Sequence, residues 1–233
     1  MHLGTLYGVG IGPGDPQYLT LRAATVLREA AVIFTVISRN ASDSVSQQVV
    51  EWLKPQGRIE LLSFTMSRNK AERAAQVRAN AQRIIDELSQ GHDCAFATLG
   101  DAMTYSTFGY ILQHVRAALP DLAIEIVPGI TSFSTLAAKA GKVLAENGEQ
   151  LRIIPSFNAA MAQELEFPKG STTILLKTYH SRNALLDRLD AEQDIELVYG
   201  EHLAMQGEVI LQESASIRQR PDAYLSLLMV KKH

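Results

Sequence analysis

Three glycine-containing segments carry the residues of this 233-residue chain that could do chemistry. The first is Gly8-Val9-Gly10-Ile11-Gly12-Pro13-Gly14-Asp15-Pro16. The second is Leu99-Gly100-Asp101-Ala102-Met103-Thr104-Tyr105-Ser106-Thr107, and the third is Ile126-Val127-Pro128-Gly129-Ile130-Thr131-Ser132. Each follows an apolar run. Each joins glycine, which lets a ligand approach the backbone, to a carboxylate or hydroxyl that can hydrogen-bond it. The chemistry this suggests is the holding of a polar small molecule at strand ends, where open α/β sheets bind ligands. The first segment does not match a dinucleotide fingerprint, because it reads G-x-G-x-G-P-G-D-P and its prolines remove amide donors that a pyrophosphate would use. Neither a phosphate-binding G-x-x-x-x-G-K-[ST] loop nor a G-x-S-x-G nucleophile elbow occurs. Each segment also has a plain structural reading. The first can be a tight turn, Asp101 can cap a helix, and Thr131 with Ser132 can cap another.

Other chemistries find less support. His2, His92, His114, His180, His202 and His233 are scattered without metal-ligand spacing, so no metal site is expected. Cys94 is the single cysteine, which excludes an intrachain disulfide and reads as a small core residue. Arg68, Lys70, Arg73, Arg78 and Arg83 read as a solvated helix face, or else as a contact for an acidic substrate. With 22 Lys and Arg against 25 Asp and Glu, the net charge of -3 argues against general nucleic-acid binding. Hydrophobic residues at 46% and charged residues at 20% are ordinary globular values. No apolar run approaches the roughly 20 residues of a membrane span. The N-terminus lacks the basic start of a secretory signal, so a cytoplasmic protein is expected.

The elements that must position these segments alternate. Leu3 to Ile11 reads as a strand, Thr20 as an N-cap, and Leu21 to Ala31 as a helix. Val32 to Ile37 is a β-branched run suited to a buried parallel strand. A helix over Ser44 to Leu53, a strand over Arg58 to Phe64 and a long helix over Lys70 to Ser89 follow, with Gly91 as C-cap. Asp93 to Leu99 is a strand, and Ser106 to Leu119 a helix. This order predicts a parallel sheet flanked by helices. Pro120-Asp121 reads as a boundary. Ala123 to Val127 then reads as a strand and Thr131 to Ala140 as a helix. Further strands are read at Arg152 to Pro155, Thr172 to Lys177, Glu196 to Tyr199 and Leu225 to Val230, with a hairpin-like stretch over Glu208 to Glu213. The expected architecture is α/β, with two α/β domains, 1–119 and 120–233, and a ligand cleft between them.

Taken in order, the three segments resemble the tetrapyrrole methylase family, the S-adenosylmethionine-dependent enzymes that methylate corrin and sirohaem precursors. The resemblance spans essentially the whole chain, from Gly4-Thr5-Leu6-Tyr7-Gly8-Val9-Gly10 through Leu19-Thr20-Leu21 and Gly100-Asp101-Ala102-Met103-Thr104-Tyr105-Ser106-Thr107-Phe108 to Val127-Pro128-Gly129-Ile130-Thr131-Ser132-Phe133. The opening segment, the Met103 to Phe108 run, the Asp43-Ser44 region and Lys177 are similar to the branch that methylates C20 of precorrin-2 or its cobalt-bearing form, in cobalamin biosynthesis. The resemblance implies a homodimer, with S-adenosylmethionine as methyl donor and S-adenosylhomocysteine as product. It implies that Pro13 lines the cleft, that Leu99, Gly100 and Asp101 contact the methionine part with Thr104 close by, and that Thr131 and Ser132 bind through backbone and hydroxyl groups. Positions near Lys177 and Glu201 would flank the adenine. The first domain would face the tetrapyrrole and the second would complete the cofactor cleft.

Several residues depart from the family pattern. Ala102 stands where many relatives carry a proline. The stretch Val32 to Ser38 lacks the carboxylate that sirohaem-type members place after the second strand, and Ile37 and Arg39 replace the proline and lysine frequent in the C20 branch. No general base is therefore carried over, and Tyr105, Asp101 and Asp15 are the catalytic candidates. Arg22, Arg39, Arg68 and Lys177 could meet substrate carboxylates by charge type. Two alternatives stand beside this reading: another activity of the family, on a different corrin position, diphthine or ribosomal RNA, and a binder of donor or tetrapyrrole without turnover.

Overall fold

Apolar side chains on both faces of successive strands force the first half of the chain into a sheet covered on two sides. The computed structural model describes residues 2–38, 44–65, 67, 69–155 and 157–233. In it, β1 (Leu6–Gly10), β2 (Val32–Ser38), β3 (Arg58–Phe64), β4 (Cys94–Thr98) and β5 (Ile124–Val127) form a parallel sheet in the order β3-β2-β4-β1-β5. Helices α1 (Leu21–Glu29), α2 (Val45–Trp52), α3 (Lys70–Ser89) and α4 (Phe108–Ala118) connect them. Leu6, Phe34 and Phe96 pack on one face with Ile84 and Leu88 of α3 and Phe108 and Ile111 of α4. Val9, Ile33, Ala95 and Ala97 pack on the other with Val26 and Leu27 of α1 and Val49 and Val50 of α2. Thr20 caps α1 as expected, accepting from Ala23 N at 3.1 Å, and Ser44 caps α2 by accepting from Gln47 N at 3.1 Å, so that helix begins at Val45. Gly91, with φ +87°, follows α3 where a C-cap was expected. Cys94 is buried, and burial pushes its thiol up to about 12, with the nearby Glu87 charge adding to the effect.

The chain divides into two compact units, Met1–Thr131 and Ser132–His233. This differs from the expected junction between residues 119 and 120. The reason is β5, which pairs with β1 from Leu6↔Ile124 to Val9↔Val127 and so belongs to the first sheet. Pro120-Asp121 is a turn inside the first unit.

The second unit holds α5 (Ser132–Ala140), β6 (Gln150–Ile154), α6 (Ala159–Gln163), β7 (Ser171–Leu176), α7 (Arg182–Leu189), β8 (Ile195–Glu201), β9 (Val209–Leu211), α8 (Ser214–Arg218) and β10 (Ser226–Lys232). Its sheet runs β6-β7-β10-β8-β9, with β6 and β7 parallel and β10 antiparallel to both β7 and β8. The Glu208 to Glu213 stretch is not a hairpin of its own. It supplies the single strand β9, whose partner is β8. The connection turns through Gly207, at φ +81°. Leu175, Leu185, Leu186, Tyr199 and Leu228 form one core layer, and Leu136, Ile174, Val198 and Met229 form the other. Among the described residues, no helix is long and apolar enough to cross a membrane.

Candidate functional site

Strand order decides which of the three segments meet. Because β4, β1 and β5 are neighbours, the segments that follow them leave the sheet side by side. Gly12 and Gly100 exchange backbone hydrogen bonds, Gly100 N to Gly12 O at 2.7 Å and Gly12 N to Gly100 O at 3.2 Å. Gly129 lies against both strands. A Cβ on it would sit 2.2 Å from the Gly100 carbonyl oxygen and 2.7 Å from the Gly10 carbonyl carbon. A Cβ on Gly10 would come within 2.6 Å of Gly129 N. These distances are too short for any side chain, so the chain here is packed backbone against backbone. Gly100 differs. Its φ is +72°, which glycine tolerates best, and a Cβ built on it meets nothing within 4 Å. The structure thus leaves open space beside the Gly100 backbone.

Asp101 ties this arrangement together. Its Oδ1 accepts from Met103 N at 3.0 Å and from Thr104 Oγ1 at 2.9 Å, and its Oδ2 accepts from Gly129 N at 3.0 Å. Burial opposes ionisation of this carboxyl more strongly than any single donor favours it. The donors from Gly129, Thr104 and Met103 together win, and the group is held below its ordinary value. Asp15 is engaged locally, where it accepts from Gln17 N at 2.8 Å and caps the short turn Pro16–Tyr18. Tyr105 is 53% exposed and has a left-handed backbone, φ +51°. Left-handed backbone at a non-glycine residue is strained and concentrates at functional sites. Pro13 is buried in the first turn, Leu99 and Thr104 are half-buried, and Thr131 closes the first unit.

In the second unit, Ser132 opens α5. Lys177 and Glu201 lie at one end of the sheet, since Lys177 N donates to Ser226 O at 2.9 Å and Ser226 is the register partner of Glu201. Lys177 is exposed, with φ +58°. Glu201 is 1% exposed, and its carboxylate accepts from Tyr199 Oη at 2.7 Å and Arg220 Nη2 at 2.8 Å. Burial works against its charge, yet Arg220 and Tyr199 hold its carboxyl below the ordinary value. Tyr199, by burial first and then its hydrogen bond to Glu201, is pushed up to about 12. Sequence reading selected Glu201 without its partners. The one available signal was the Tyr199, Glu201 spacing of two, which puts both side chains on one face of a strand. The part played by Arg182 and Arg220 has no local signature.

Among the basic candidates, Arg22 is engaged by Glu125 through two hydrogen bonds, Nε at 2.7 Å and Nη2 at 2.6 Å. Arg83 pairs with Glu60 at 2.7 Å. Arg39, Asp43 and Arg68 lie outside the described residues.

The turns after β1, β4 and β5 thus meet at one end of the first sheet, with open space beside the Gly100 backbone. Residues 5–217 match the model of the Tetrapyrrole (Corrin/Porphyrin) Methylases, and the chain belongs to this family. It is 35% identical over 179 residues to the cobalt-precorrin-2 C(20)-methyltransferase of Salmonella typhimurium strain LT2, an alignment covering 76% of this chain and 73% of the relative. It is 33% identical over 175 residues to a probable cobalt-precorrin-2 C(20)-methyltransferase of Methanocaldococcus jannaschii, covering 74% and 72%. The crystal structure of uroporphyrin-III-C-methyltransferase from Thermus thermophilus superposes with a TM-score of 0.71 at 25% identity, covering 98% of this chain and 94% of that one. A structure of that Thermus methyltransferase complexed with S-adenosylhomocysteine superposes with a TM-score of 0.66 at 18% identity, covering 98% and 92%.

Proposed function

We propose that this chain is an S-adenosylmethionine-dependent methyltransferase acting on C20 of precorrin-2 or its cobalt-bearing form in cobalamin biosynthesis. The observation that carries the reading is the stack of Gly10, Gly100 and Gly129 at three neighbouring strand ends, with open space beside the Gly100 backbone. The family membership and the two C(20)-methyltransferase relatives support the reaction and the substrate, and both relatives are named for the cobalt-bearing form.

The residues present fit the donor. Pro13, Leu99, Gly100 and the Asp101 backbone would contact its methionine part, with Thr104 close by. Thr131 and Ser132 would hold it through backbone and hydroxyl groups. The strand ends at Lys177 and Glu201 would flank the adenine, with backbone groups at Glu201 because its carboxylate is already engaged. The donor supplies a methyl group already activated by a sulfonium. The protein's work is then to hold reacting atoms in line and keep the site dry, and such positioning can be worth an effective molarity of about 10^5 M or more.

A proton must leave C20. The Asp101 carboxylate spends hydrogen-bonding capacity on its own turn and on Gly129 of the turn after β5, and the Asp15 carboxylate accepts from Gln17 N in its own turn. Tyr105 presents an exposed side chain on a strained backbone in the segment after β4, and we assign its phenol oxygen to take that proton while its own hydroxyl proton passes to solvent. Tyr105→Phe should then lower kcat by roughly a hundred-fold, the lower range for a lost acid–base group, while S-adenosylhomocysteine affinity stays at the wild-type value. An unchanged kcat removes the role from Tyr105.

Incubation with methyl-labelled donor and either metal-free or cobalt-loaded precorrin-2, followed by mass analysis of the product, tests the function. A single added methyl at C20 is expected, and the faster substrate identifies the branch. Donor binding with no methylated product from either substrate would instead identify a non-catalytic binder. The working form is proposed to be a cytoplasmic homodimer, which light scattering of the purified chain would read as twice the chain mass.

A further inference from the structure

At the end of the second sheet lies an ionic network of side chains that includes the carboxylate of Glu201, a residue whose backbone is assigned above to the donor. Arg182 Nη1 donates to Tyr199 Oη at 3.1 Å, Tyr199 donates to Glu201 Oε1 at 2.7 Å, and Arg220 donates to Glu201 Oε2 from Nη2 at 2.8 Å and from Nε at 3.2 Å. Arg182 also donates to the carbonyls of Pro221, at 3.0 Å, and of Arg220. Arg182 is 4% exposed and Glu201 1%, while the Arg220 side chain, 35% exposed, is the open end of the chain of contacts. Burying charges is costly, and a well-packed apolar set of similar volume often stabilises a fold as well or better. The value of this network therefore lies in where it fixes the backbone.

That place is defined by its partners. The network joins the end of β8, the start of α7 and residues 220–221 on the way into β10. Ser226 extends the frame by donating to Ala223 O at 2.6 Å and lying 3.1 Å from Thr178 Oγ1. Three non-glycine residues beside it, Lys177, His202 and Ala204, have φ values of 58°, 45° and 56°. Two of them are anchored to the same stretch, Lys177 N to Ser226 O and His202 N to Leu225 O, each at 2.9 Å. Strained backbone of this kind persists where its surroundings over-determine it.

We infer that Glu201 and Arg220, acting through Tyr199 and Arg182, are positioning residues that set the backbone at Lys177 and His202 for the adenine side of the methyl donor. The inference rests on the reading above that these strand ends flank the adenine. Calorimetric titration of the full chain with S-adenosylhomocysteine tests it, together with steady-state kinetics in the donor. Because Glu201 is buried and its loss endangers the fold, the test is made on the half-exposed partner. Arg220→Gln should raise the dissociation constant by roughly ten-fold, a usual size for coupling between a site and residues that do not touch it. Its KM for the donor should rise in step while kcat is retained, and Arg220→Lys, which keeps a charged donor, should recover part of the loss. A purely structural role would lower the unfolding midpoint without moving KM or the affinity of the folded protein. Wild-type affinity and KM in folded Arg220→Gln would overturn the inference and leave the donor reading standing. Failure of the wild-type chain to bind S-adenosylhomocysteine would remove both.

Discussion

The Asp101 carboxylate receives donors from Met103, Thr104 and Gly129, and so joins the turn after β4 to the turn after β5. Asp101→Ala leaves those donors without their acceptor and should destabilise the fold by about 1–3 kcal/mol while weakening S-adenosylhomocysteine binding. Calorimetry of both unfolding and binding would read the two effects, and unaltered values contradict the assignment. The folded carboxyl lies below its ordinary value despite the opposing effect of burial. Its contribution is therefore complete above the unfolded carboxylate value and is lost as the pH falls through the lowered folded one. Asp101→Asn should accordingly flatten the acid limb of urea-derived stability against pH, and a limb as steep as in the wild type would argue otherwise. The glycines give a paired test. Gly129→Ala must drive a methyl into the Gly100 carbonyl at 2.2 Å, whereas the same change at Gly109, in α4, meets nothing within 4 Å. The first should cost at least the ~1–3 kcal/mol typical of overpacking, and the second should gain about 0.4–1 kcal/mol by restricting the unfolded chain. Equal unfolding midpoints for the two variants would refute the backbone-packing account.

Helix α4 illustrates how an element supports a site it does not enter. Phe108, its first residue, is fully buried and packs on Phe96 with ring centroids 5.5 Å apart. Its ring fills the place that a Cβ on Gly8 would occupy, 2.2 Å from Cε1. Gly8 in β1, the first glycine of the first segment, thus serves packing. Phe108→Ala should cost about 3–5 kcal/mol, measurable in urea unfolding, because the surrounding strands and helices cannot collapse into the space. The first-unit elements are readable because α1, α2 and α3 carry caps and apolar spacing and the strands are apolar runs, of which β1, β4 and β5 stop at glycine or proline turns. The short helices α6 and α8, of five residues each, went unread because so few positions cannot display a period. In α7, Leu185, Leu186 and Leu189 form the buried stripe, but Arg182 is buried beside them and blurs the contrast.

For the entire chain, a ligand that binds only the folded state must raise its stability. S-adenosylhomocysteine at 100 times its dissociation constant should add about 2.7 kcal/mol, and a dinucleotide such as NAD should add nothing. A thermal shift from NAD and none from S-adenosylhomocysteine would reverse the functional reading. The junction between units also belongs here. Pro120-Asp121 looks like a boundary because it breaks the chain locally, yet β5 beyond it completes the first sheet, and the division falls after Thr131.

The residues alone specified the three turns, the parallel half and the family, because glycines, caps and apolar periods act on neighbours a few positions away and leave their mark in contiguous letters. They did not reveal that Gly10, Gly100 and Gly129 touch, that Asp101 is saturated by a donor from Gly129, or that Glu201 is buried against Arg220. Those facts follow from strand order and chain reversal. Contacts between segments so distant along the polypeptide are chosen by the collective packing of a sheet, and no short window of sequence contains that information.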